Sequence, residues 1–93
     1  MLKLDNSDMM DLEEMYGSDL INKLDMDNVN KIYDYLINKG IYYAKDIFVE
    51  RLELFLLDSS EFIDRFDSLI KNIGDNYVDI IGENSSLLEE MYK

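Results

Sequence analysis

Residues 52–74 read LELFLLDSSEFIDRFDSLIKNIG, and this stretch decides the fold. Asp58 and Glu61 have the spacing of a capping box, with Asp where Ser or Thr is usual. Lys71 suits the negative end of a helix, and Gly74 suits the left-handed conformation in which many helices end. The apolar positions between them recur at helical spacing as one wide stripe: Phe62, Ile63, Phe66, Leu69, Ile70 and Ile73. We predict an amphipathic core helix; a cofactor groove is the alternative use of the stripe.

A second long helix is predicted before this stretch. Asp25 or Asp27 is placed to cap it, and Gly40 is placed to end it. Its apolar stripe has the same helical spacing: Val29, Ile32, Tyr33, Leu36 and Ile37. Two short helices, over residues 41–47 and 48–57, are predicted to connect the two long ones.

The two ends of the chain also have helical patterns. Ser7 is the predicted cap of a helix over residues 8–16, and we expect residues 1–6 before it to be loose. After the central stretch the predicted order is a short helix, a glycine break and a last helix: residues 77–81, Gly82, and Ser85 or Ser86 to Tyr92.

Internal repetition links these elements. Residues 33–37, YDYLI, match residues 66–70, FDSLI, and the string LEEMY occurs both at residues 12–16 and at residues 88–92. We therefore predict an all-α single domain over residues 1–93. It is a small bundle of about six helices, arranged as stacked helix-turn-helix repeat units over about residues 25–57 and 58–92. Chance similarity among amphipathic helices is the alternative.

One set of residues in these units has a family resemblance: Gly40-Ile41, Asp46-Ile47, Leu56-Leu57, Asp58, Phe62, Arg65-Phe66, Leu69 and Gly74. Over residues 30–92 this pattern resembles the helical repeat of mitochondrial transcription termination factors. The resemblance implies helix triplets stacked into a curved solenoid, which in that family grips nucleic acid. The chain departs from the family, because it has no proline before its leucine pair and is acidic where the family's concave face is basic. We carry over the architecture alone, with no nucleic-acid activity and no functional residue.

Charge and composition exclude several classes of function. The chain has 9 basic and 21 acidic residues, a net charge of −12, and this charge repels phosphate backbones and anionic membranes. There is no cysteine for disulfides or thiolate metal sites, and no histidine for general-base catalysis or zinc binding. No apolar run has the length of a membrane span, and no signal peptide is recognisable. We expect a cytoplasmic protein that binds neither membranes nor nucleic acid directly.

Short motifs give no support to catalysis or cofactor binding. Residues 25–28, DMDN, begin like an EF-hand loop, but Asn30 replaces the glycine and Leu36 the final glutamate that calcium binding needs. Residues 68–71 match S-x-x-K without the further motifs of penicillin-binding enzymes. We expect no catalytic residue, cofactor or metal site. An enzyme that works with carboxylates alone remains a third alternative, and it needs a carboxylate whose pKa is raised in a cleft.

The acidic residues are the candidate partner-binding groups. They crowd the N-terminus and follow the polar side of the central helix: Asp8, Asp11, Glu13, Glu14, Asp58, Glu61, Asp64 and Asp67. Rows of carboxylates on rigid helices resemble phosphates to a basic protein groove, and inhibitors of phage-defence nucleases act in this way. We predict a non-catalytic inhibitor or regulator that occupies a basic, nucleic-acid-binding surface of a partner protein. A solvated face without a binding role is the plainer interpretation.

Apolar binding is the alternative function. Tyrosine is enriched in interface cores, and Tyr42 and Tyr43 are the candidate anchors, with Tyr35 and Tyr92 as further ones. Under this interpretation the chain is a small helical-repeat scaffold or a homo-oligomer.

Overall fold

The computed structural model describes residues 2–92, which contain helices and no strand. The elements, in chain order, are six α-helices and two 3₁₀ helices: α1 (Asn6–Tyr16), α2 (Ser18–Asn22), α3 (Met26–Asn38), α4 (Ala44–Glu50), η1 (Leu52–Leu56), α5 (Ser59–Ile73), α6 (Tyr77–Glu83) and η2 (Ser85–Tyr92). The predicted all-α fold is confirmed.

Two units with the same order of elements make up most of the chain. A long helix, a short helix and a 3₁₀ helix follow one another as α3, α4 and η1, and again as α5, α6 and η2. The short helices end in the same way: Arg51 after α4 has φ −136° and ψ 58°, and Asn84 after α6 has φ −140° and ψ 81°. These two caps are separated by the same number of residues as the YDYLI and FDSLI matches.

The long helices α3 and α5 pack side by side in parallel. The amide of Asn28, near the start of α3, donates to the Leu57 carbonyl at 2.7 Å and accepts from the Ser59 N–H at 2.8 Å. Further along, the Tyr35 ring lies edge-on to Phe66 with ring centroids 5.8 Å apart. Parallel neighbours are what a repeated unit produces when it stacks on its own copy.

One apolar core runs through both units. Its largest fully buried side chains come from seven elements and from the segment between α3 and α4: Leu12, Ile32, Leu36, Ile41, Phe48, Leu52, Leu54, Phe55, Phe62, Phe66, Ile81 and Leu88. The leucine that opens each L-E string, at positions 12, 52 and 88, is buried every time. None of the polar side chains that the structure describes is buried. The polar side chains therefore lie at or near the surface, although the Arg51 Nε atom is itself buried.

The central helix begins and ends where the sequence predicts, with two differences. Asp58 caps α5 by accepting from the Ser60 N–H at 3.2 Å, but Glu61 turns to Arg65 at 2.6 Å instead of completing a capping box. The guanidinium offers Glu61 a charged partner that the cap N–H does not. Gly74 has φ 101° and ψ −167°, an extended conformation open to glycine and not the predicted left-handed one.

The N-terminal prediction was wrong in its cap and in its loose segment. Asp5, not Ser7, caps α1: it accepts from the Asp8 N–H at 2.7 Å, while Asp8 accepts from the Asp5 N–H at 3.1 Å. Leu2 is only 4% exposed, and its N–H donates to the Asn30 side chain at 3.2 Å. Burial of Leu2 thus fixes this segment against α3; residue 1 lies outside the described residues.

Three further predictions differ in detail. Ile37 is 43% exposed, because the buried face of α3 passes through Val29, Ile32 and Leu36 and leaves the next residue on its shoulder. Gly82 does not break α6 but lies inside it. The predicted last helix is the 3₁₀ helix η2, and the predicted helix over residues 48–57 is divided between the end of α4 and the 3₁₀ helix η1.

Candidate functional site

The short helices present matched pairs of carboxylates to solvent. Asp46 and Glu50 lie one turn apart on α4, and Asp79 and Glu83 lie one turn apart on α6. All four are exposed, and the two pairs occupy equivalent positions in the two units. Side chains four residues apart on a helix are neighbours, with Cβ atoms about 5–6 Å apart. The repeat therefore builds the same two-carboxylate feature twice.

A cleft joins the first of these pairs to α1. It has a volume of about 320 Å³ and is lined by Asp8, Asp11, Lys45, Asp46, Val49 and Glu50. Lys45 bonds to Asp8 at 2.8 Å. At the far end of α1 the Tyr16 hydroxyl donates to the Val49 carbonyl at 2.6 Å and so holds the helix against α4.

Two more clefts carry this surface onto the second unit. One of about 170 Å³ includes Asp46 and Glu50 on one side and Gly82 and Ser85 on the other. The next, of about 350 Å³, is lined by Tyr42, Tyr43, Val78, Asp79, Gly82 and Glu83. Adjacent clefts share lining residues, so the three clefts adjoin one another along one face, and we call this row of clefts the groove. We call its six carboxylates the acid ladder: Asp8, Asp11, Asp46, Glu50, Asp79 and Glu83.

The acid ladder is nearly free of compensating charge. Lys45 is the one base that lines the three clefts, and it pairs with Asp8. The hydrogen bond from Lys45 and the Asp5 N–H lower the pKa of Asp8, and the same contact with Asp8 raises the pKa of Lys45. The other five ladder carboxylates form no ion pair within residues 2–92.

The long helices carry a different balance of charge. Helices α3 and α5 contain five acids and three bases, whereas α1, α4 and α6 contain eight acids and one base. Several of the long-helix charges are also paired, as Arg65 is with Glu61 at 2.6 Å. The negative potential is therefore concentrated on the face formed by α1, α4 and α6.

Tyr43 fixes the two units to each other beneath the ladder. Its hydroxyl donates to the Val78 carbonyl at 2.6 Å, and a Cβ at Gly82 would lie 3.2 Å from Cε1 of its ring. Burial, followed by the nearby Tyr42, Asp79 and Tyr77, raises the pKa of Tyr43 to about 12. In the opposite direction, the Tyr77 hydroxyl donates to the Lys39 carbonyl at 2.5 Å. Gly82 thus serves close packing of a ring against α6.

The predicted acidic residues do not all meet on one surface. Asp8 and Asp11 belong to the acid ladder, whereas Glu13 and Glu14 are exposed elsewhere on α1 and line none of its clefts. Asp64 is also exposed, on the polar side of α5. These last three carboxylates therefore lie outside the groove.

Three predicted carboxylates of the central helix are engaged within the fold. Asp58 caps α5, Glu61 pairs with Arg65, and Asp67 accepts from the Tyr35 hydroxyl and lies 3.9 Å from the Lys39 ammonium. Glu61 and Asp67 are also about 120° apart around the helix, given 3.6 residues per turn. The predicted row on α5 therefore does not form a single face.

The candidate tyrosines divide in the same way. Tyr42 is 80% exposed, and Tyr43 is built into the fold through the Val78 carbonyl. Tyr35 packs on Phe62 and Phe66, and the Tyr92 hydroxyl donates to Glu53 at 3.1 Å. Tyr42 alone of these four offers most of its ring to a partner.

Sequence reasoning missed four ladder residues: Asp46, Glu50, Asp79 and Glu83. A signal for them was present, since the spacing that aligns YDYLI with FDSLI also aligns Asp46 with Asp79 and Glu50 with Glu83. The two acids of α4 do not stand out in the sequence, because residues 29–71 around them contain eight acids and six bases.

Comparisons with known proteins found no match that bears on this site. Neither the scan of protein-family models nor the searches of curated proteins and of solved structures found a match. Within residues 2–92, no three side chains of the metal-binding types are grouped so as to hold an ion. No helix in that range has the length and apolar character to cross a membrane.

Proposed function

We propose that this chain is a non-catalytic, acidic protein-binding module whose acid ladder occupies a basic surface on a partner protein, of the kind that otherwise binds nucleic acid. One observation carries the proposal: five carboxylates line three adjoining clefts without an ion pair inside the described fold. In this proposal the module acts in the cytoplasm as an inhibitor or regulator of its partner.

The physical reason is the cost of holding like charges together. Unpaired carboxylates on neighbouring helices repel one another, and a partner that brings arginine and lysine removes that repulsion on binding. The carboxylates stand on helices that Tyr16 and Tyr43 hold in place, so the backbone that carries them needs little ordering on binding. A concentrated negative face also steers a basic partner during diffusion and raises the association rate.

The environment of the carboxylates supports a non-catalytic role. Catalysis by carboxylates alone needs one acid whose pKa is raised by burial. Within residues 2–92, the carboxylates with a resolved shift are Asp8 and Asp58, and in both the pKa is lowered, chiefly by hydrogen bonds from Lys45 and Ser60 respectively. Both groups favour the charged state, so neither is a carboxylic acid held neutral for proton transfer.

The resemblance to mitochondrial transcription termination factor repeats enters the proposal as architecture only. The order of long helix, short helix and 3₁₀ helix in each unit supports a stacked-repeat scaffold. The acidic groove argues against direct binding of nucleic acid, because phosphates and carboxylates repel. In this proposal the scaffold presents negative charge to a protein that would otherwise hold nucleic acid.

Capture of partners from the source cells tests the proposal. The tagged full chain is used as bait, bound proteins are released by increasing salt, and each released protein is then offered nucleic acid in competition. We expect a basic, nucleic-acid-binding protein to leave at moderate salt, since screening weakens contacts between exposed charges. If every partner remained bound at high salt, or nucleic acid failed to compete, the proposal would be wrong.

The exposure of Tyr42 favours a second candidate, self-association through apolar and tyrosine surface. A tyrosine ring that is 80% exposed is the kind of side chain that anchors interfaces. Under this function the purified chain forms oligomers that persist at high salt, and Tyr42→Ala returns it to monomers in sedimentation equilibrium. Tyr43→Ala is not a clean test, because Tyr43 supports the fold through Val78 and Gly82.

A further inference from the structure

We propose that the cleft between Tyr42 and α6 is a subsite for one arginine side chain of the partner. The inference rests on the proposed function and makes it more specific, because it names the residue type that one part of the groove recognises. The cleft has a volume of about 350 Å³, and its lining combines an exposed ring, a small floor and two carboxylates: Tyr42, Tyr43, Val78, Asp79, Gly82 and Glu83.

The aromatic side of the cleft is held in place by the fold, and its Tyr42 ring is exposed to solvent. Tyr42 meets Tyr43 edge-on, with ring centroids 5.0 Å apart and an interplanar angle of 85°. Tyr43 is anchored by its hydrogen bond to the Val78 carbonyl, and it therefore supports the Tyr42 ring from behind. Tyr42 itself remains 80% exposed. A flat cation finds a ready face there, and arginine is the cation that most often stacks on aromatic rings.

The acidic side of the cleft supplies the matching charge. Asp79 and Glu83 are exposed and lie one helical turn apart, and no base is among the six residues of the lining. Asp79 lies close enough to Tyr43 to contribute to the raised pKa of its phenol. A guanidinium presents several N–H donors in a planar fork, so it bonds to a carboxylate while its face rests on a ring. A lysine ammonium is a point charge without that planar geometry.

The other parts of the groove lack an exposed aromatic ring. The middle cleft has Asp46 and Glu50, but its one ring is that of Tyr43, which is half-buried and packs against Gly82. The cleft between α1 and α4 has no aromatic side chain, and its lysine already neutralises Asp8. The large cleft beside α5 contains Arg65, whose guanidinium donates to the Met91 carbonyl at 2.5 Å and pairs with Glu61. The arginine subsite is therefore specific to Tyr42 and the two acids of α6.

Titration with two peptides of equal length, one of arginine and one of lysine, tests the inference in the full chain. Binding is followed calorimetrically at low salt. We expect the arginine peptide to bind more tightly, and Tyr42→Leu to lower its affinity about two- to five-fold while leaving the lysine peptide almost unchanged. Tyr42→Phe keeps the ring and should retain the preference. Because Tyr42 is exposed, all three proteins should melt at similar temperatures.

The outcomes separate the subsite from the function on which it rests. If Tyr42→Leu altered neither affinity while Asp46→Asn with Glu50→Gln weakened both peptides, the arginine subsite would be wrong and the acid ladder would stand. If Asp79→Asn with Glu83→Gln left the arginine preference intact, the subsite would likewise be overturned. If neither peptide bound the native chain at low salt, both the subsite and the proposed function would fail.

Discussion

At the scale of single residues, Tyr43 shows how one side chain joins fold and site. Its ring fills the space that Gly82 leaves on α6, its hydroxyl donates to the Val78 carbonyl, and its ring lies perpendicular to the Tyr42 ring and in contact with it. The sequence marked Tyr43 as an interface anchor because tyrosines are common in interfaces. It could not show that the opposite helix has a glycine at the point of contact, since that depends on how the two units stack.

Alkaline pH tests the role of this hydroxyl. The pKa of Tyr43 is raised from its usual 10.0 to about 12, so its neutral form is favoured in the folded state. That contribution is complete below pH 10.0 and is lost as the pH rises toward about 12. We expect the free energy of unfolding, measured with urea, to fall over this range.

The variant Tyr43→Phe isolates the Tyr43 contribution to that fall. It should cost about 1 kcal/mol at neutral pH through the lost hydrogen bond to Val78, and its stability should fall less steeply in alkali. Tyr33→Phe is the matched control, because the Tyr33 hydroxyl makes no hydrogen bond within residues 2–92. Equal alkaline slopes for both variants would contradict this role.

At the scale of the elements, the strong helices were predictable and their joints were not. The stripe of α5, its Asp58 cap and its Gly74 stop agree with one another, so the sequence placed this helix correctly. The start of α1 was misplaced because Asp5 and Asp8 cap each other in a box made of two aspartates. The 3₁₀ helices were predicted as ordinary helices, since short apolar runs do not distinguish the two.

Asn28 connects the two long helices, whereas the sequence analysis considered it only as part of a segment that begins like a calcium-binding loop. Its single amide bonds to the Leu57 carbonyl and the Ser59 N–H, and so ties α3 to the first turn of α5. The sequence alone does not show that an asparagine on one helix forms hydrogen bonds with the next helix. The role of Asn28 can be recognised only when the parallel packing of the two long helices is known.

Replacing Asn28 measures what this joint contributes. We expect Asn28→Ala to lower the free energy of unfolding by about 1–3 kcal/mol, because it leaves the Leu57 carbonyl and the Ser59 N–H without their partner. Asn28→Asp retains the acceptor and should cost less. Asn38→Ala, at an exposed position of the same helix, is the control and should change stability by less than about 0.5 kcal/mol. A cost no larger than that of Asn38→Ala would refute the assignment.

The outer face of α5 differs from the face by which α3 holds its neighbour. Where α3 has Ile32 and Tyr35, α5 has Arg65 and Ser68 at the positions that the repeat aligns. The Arg65 guanidinium donates to the Met91 carbonyl and pairs with Glu61. A polar outer face is typical of a unit at the end of a stack. The two long helices thus share a fold position but differ in what they can pack against.

At the scale of the whole molecule, the net charge of −12 can be counted from the sequence, but the position of the charges on the surface cannot be predicted from it. Along the sequence, residues 1–28 contain eight acids and two bases, residues 29–71 eight acids and six bases, and residues 72–93 five acids and one base. The fold brings α1, α4 and α6 together, so acids from distant segments line one groove. The bases of the long helices α3 and α5 do not line this groove. Which carboxylates are free depends on partners such as Lys45 and Arg65, and those contacts follow from tertiary packing.

Salt should stabilise the isolated protein. Unpaired carboxylates repel one another in the folded state, and raising NaCl from about 20 mM to about 500 mM shortens the range of that repulsion several-fold. We expect the melting temperature to rise over this range, and to rise less after Asp46→Asn, Glu50→Gln, Asp79→Asn and Glu83→Gln are combined. A melting temperature that fell with salt would mean that ion pairs such as Asp8–Lys45 outweigh the repulsion.

The most direct measurement compares this four-site ladder variant with a control that loses the same charge elsewhere. Glu14→Gln, Asp19→Asn, Asp64→Asn and Asp75→Asn change four exposed acids that line none of the three clefts. Both variants and the native chain are used to capture the partner at one moderate salt concentration. We predict that the ladder variant loses the partner while the control keeps it. Equal capture by the two variants would contradict the acid ladder as the binding site.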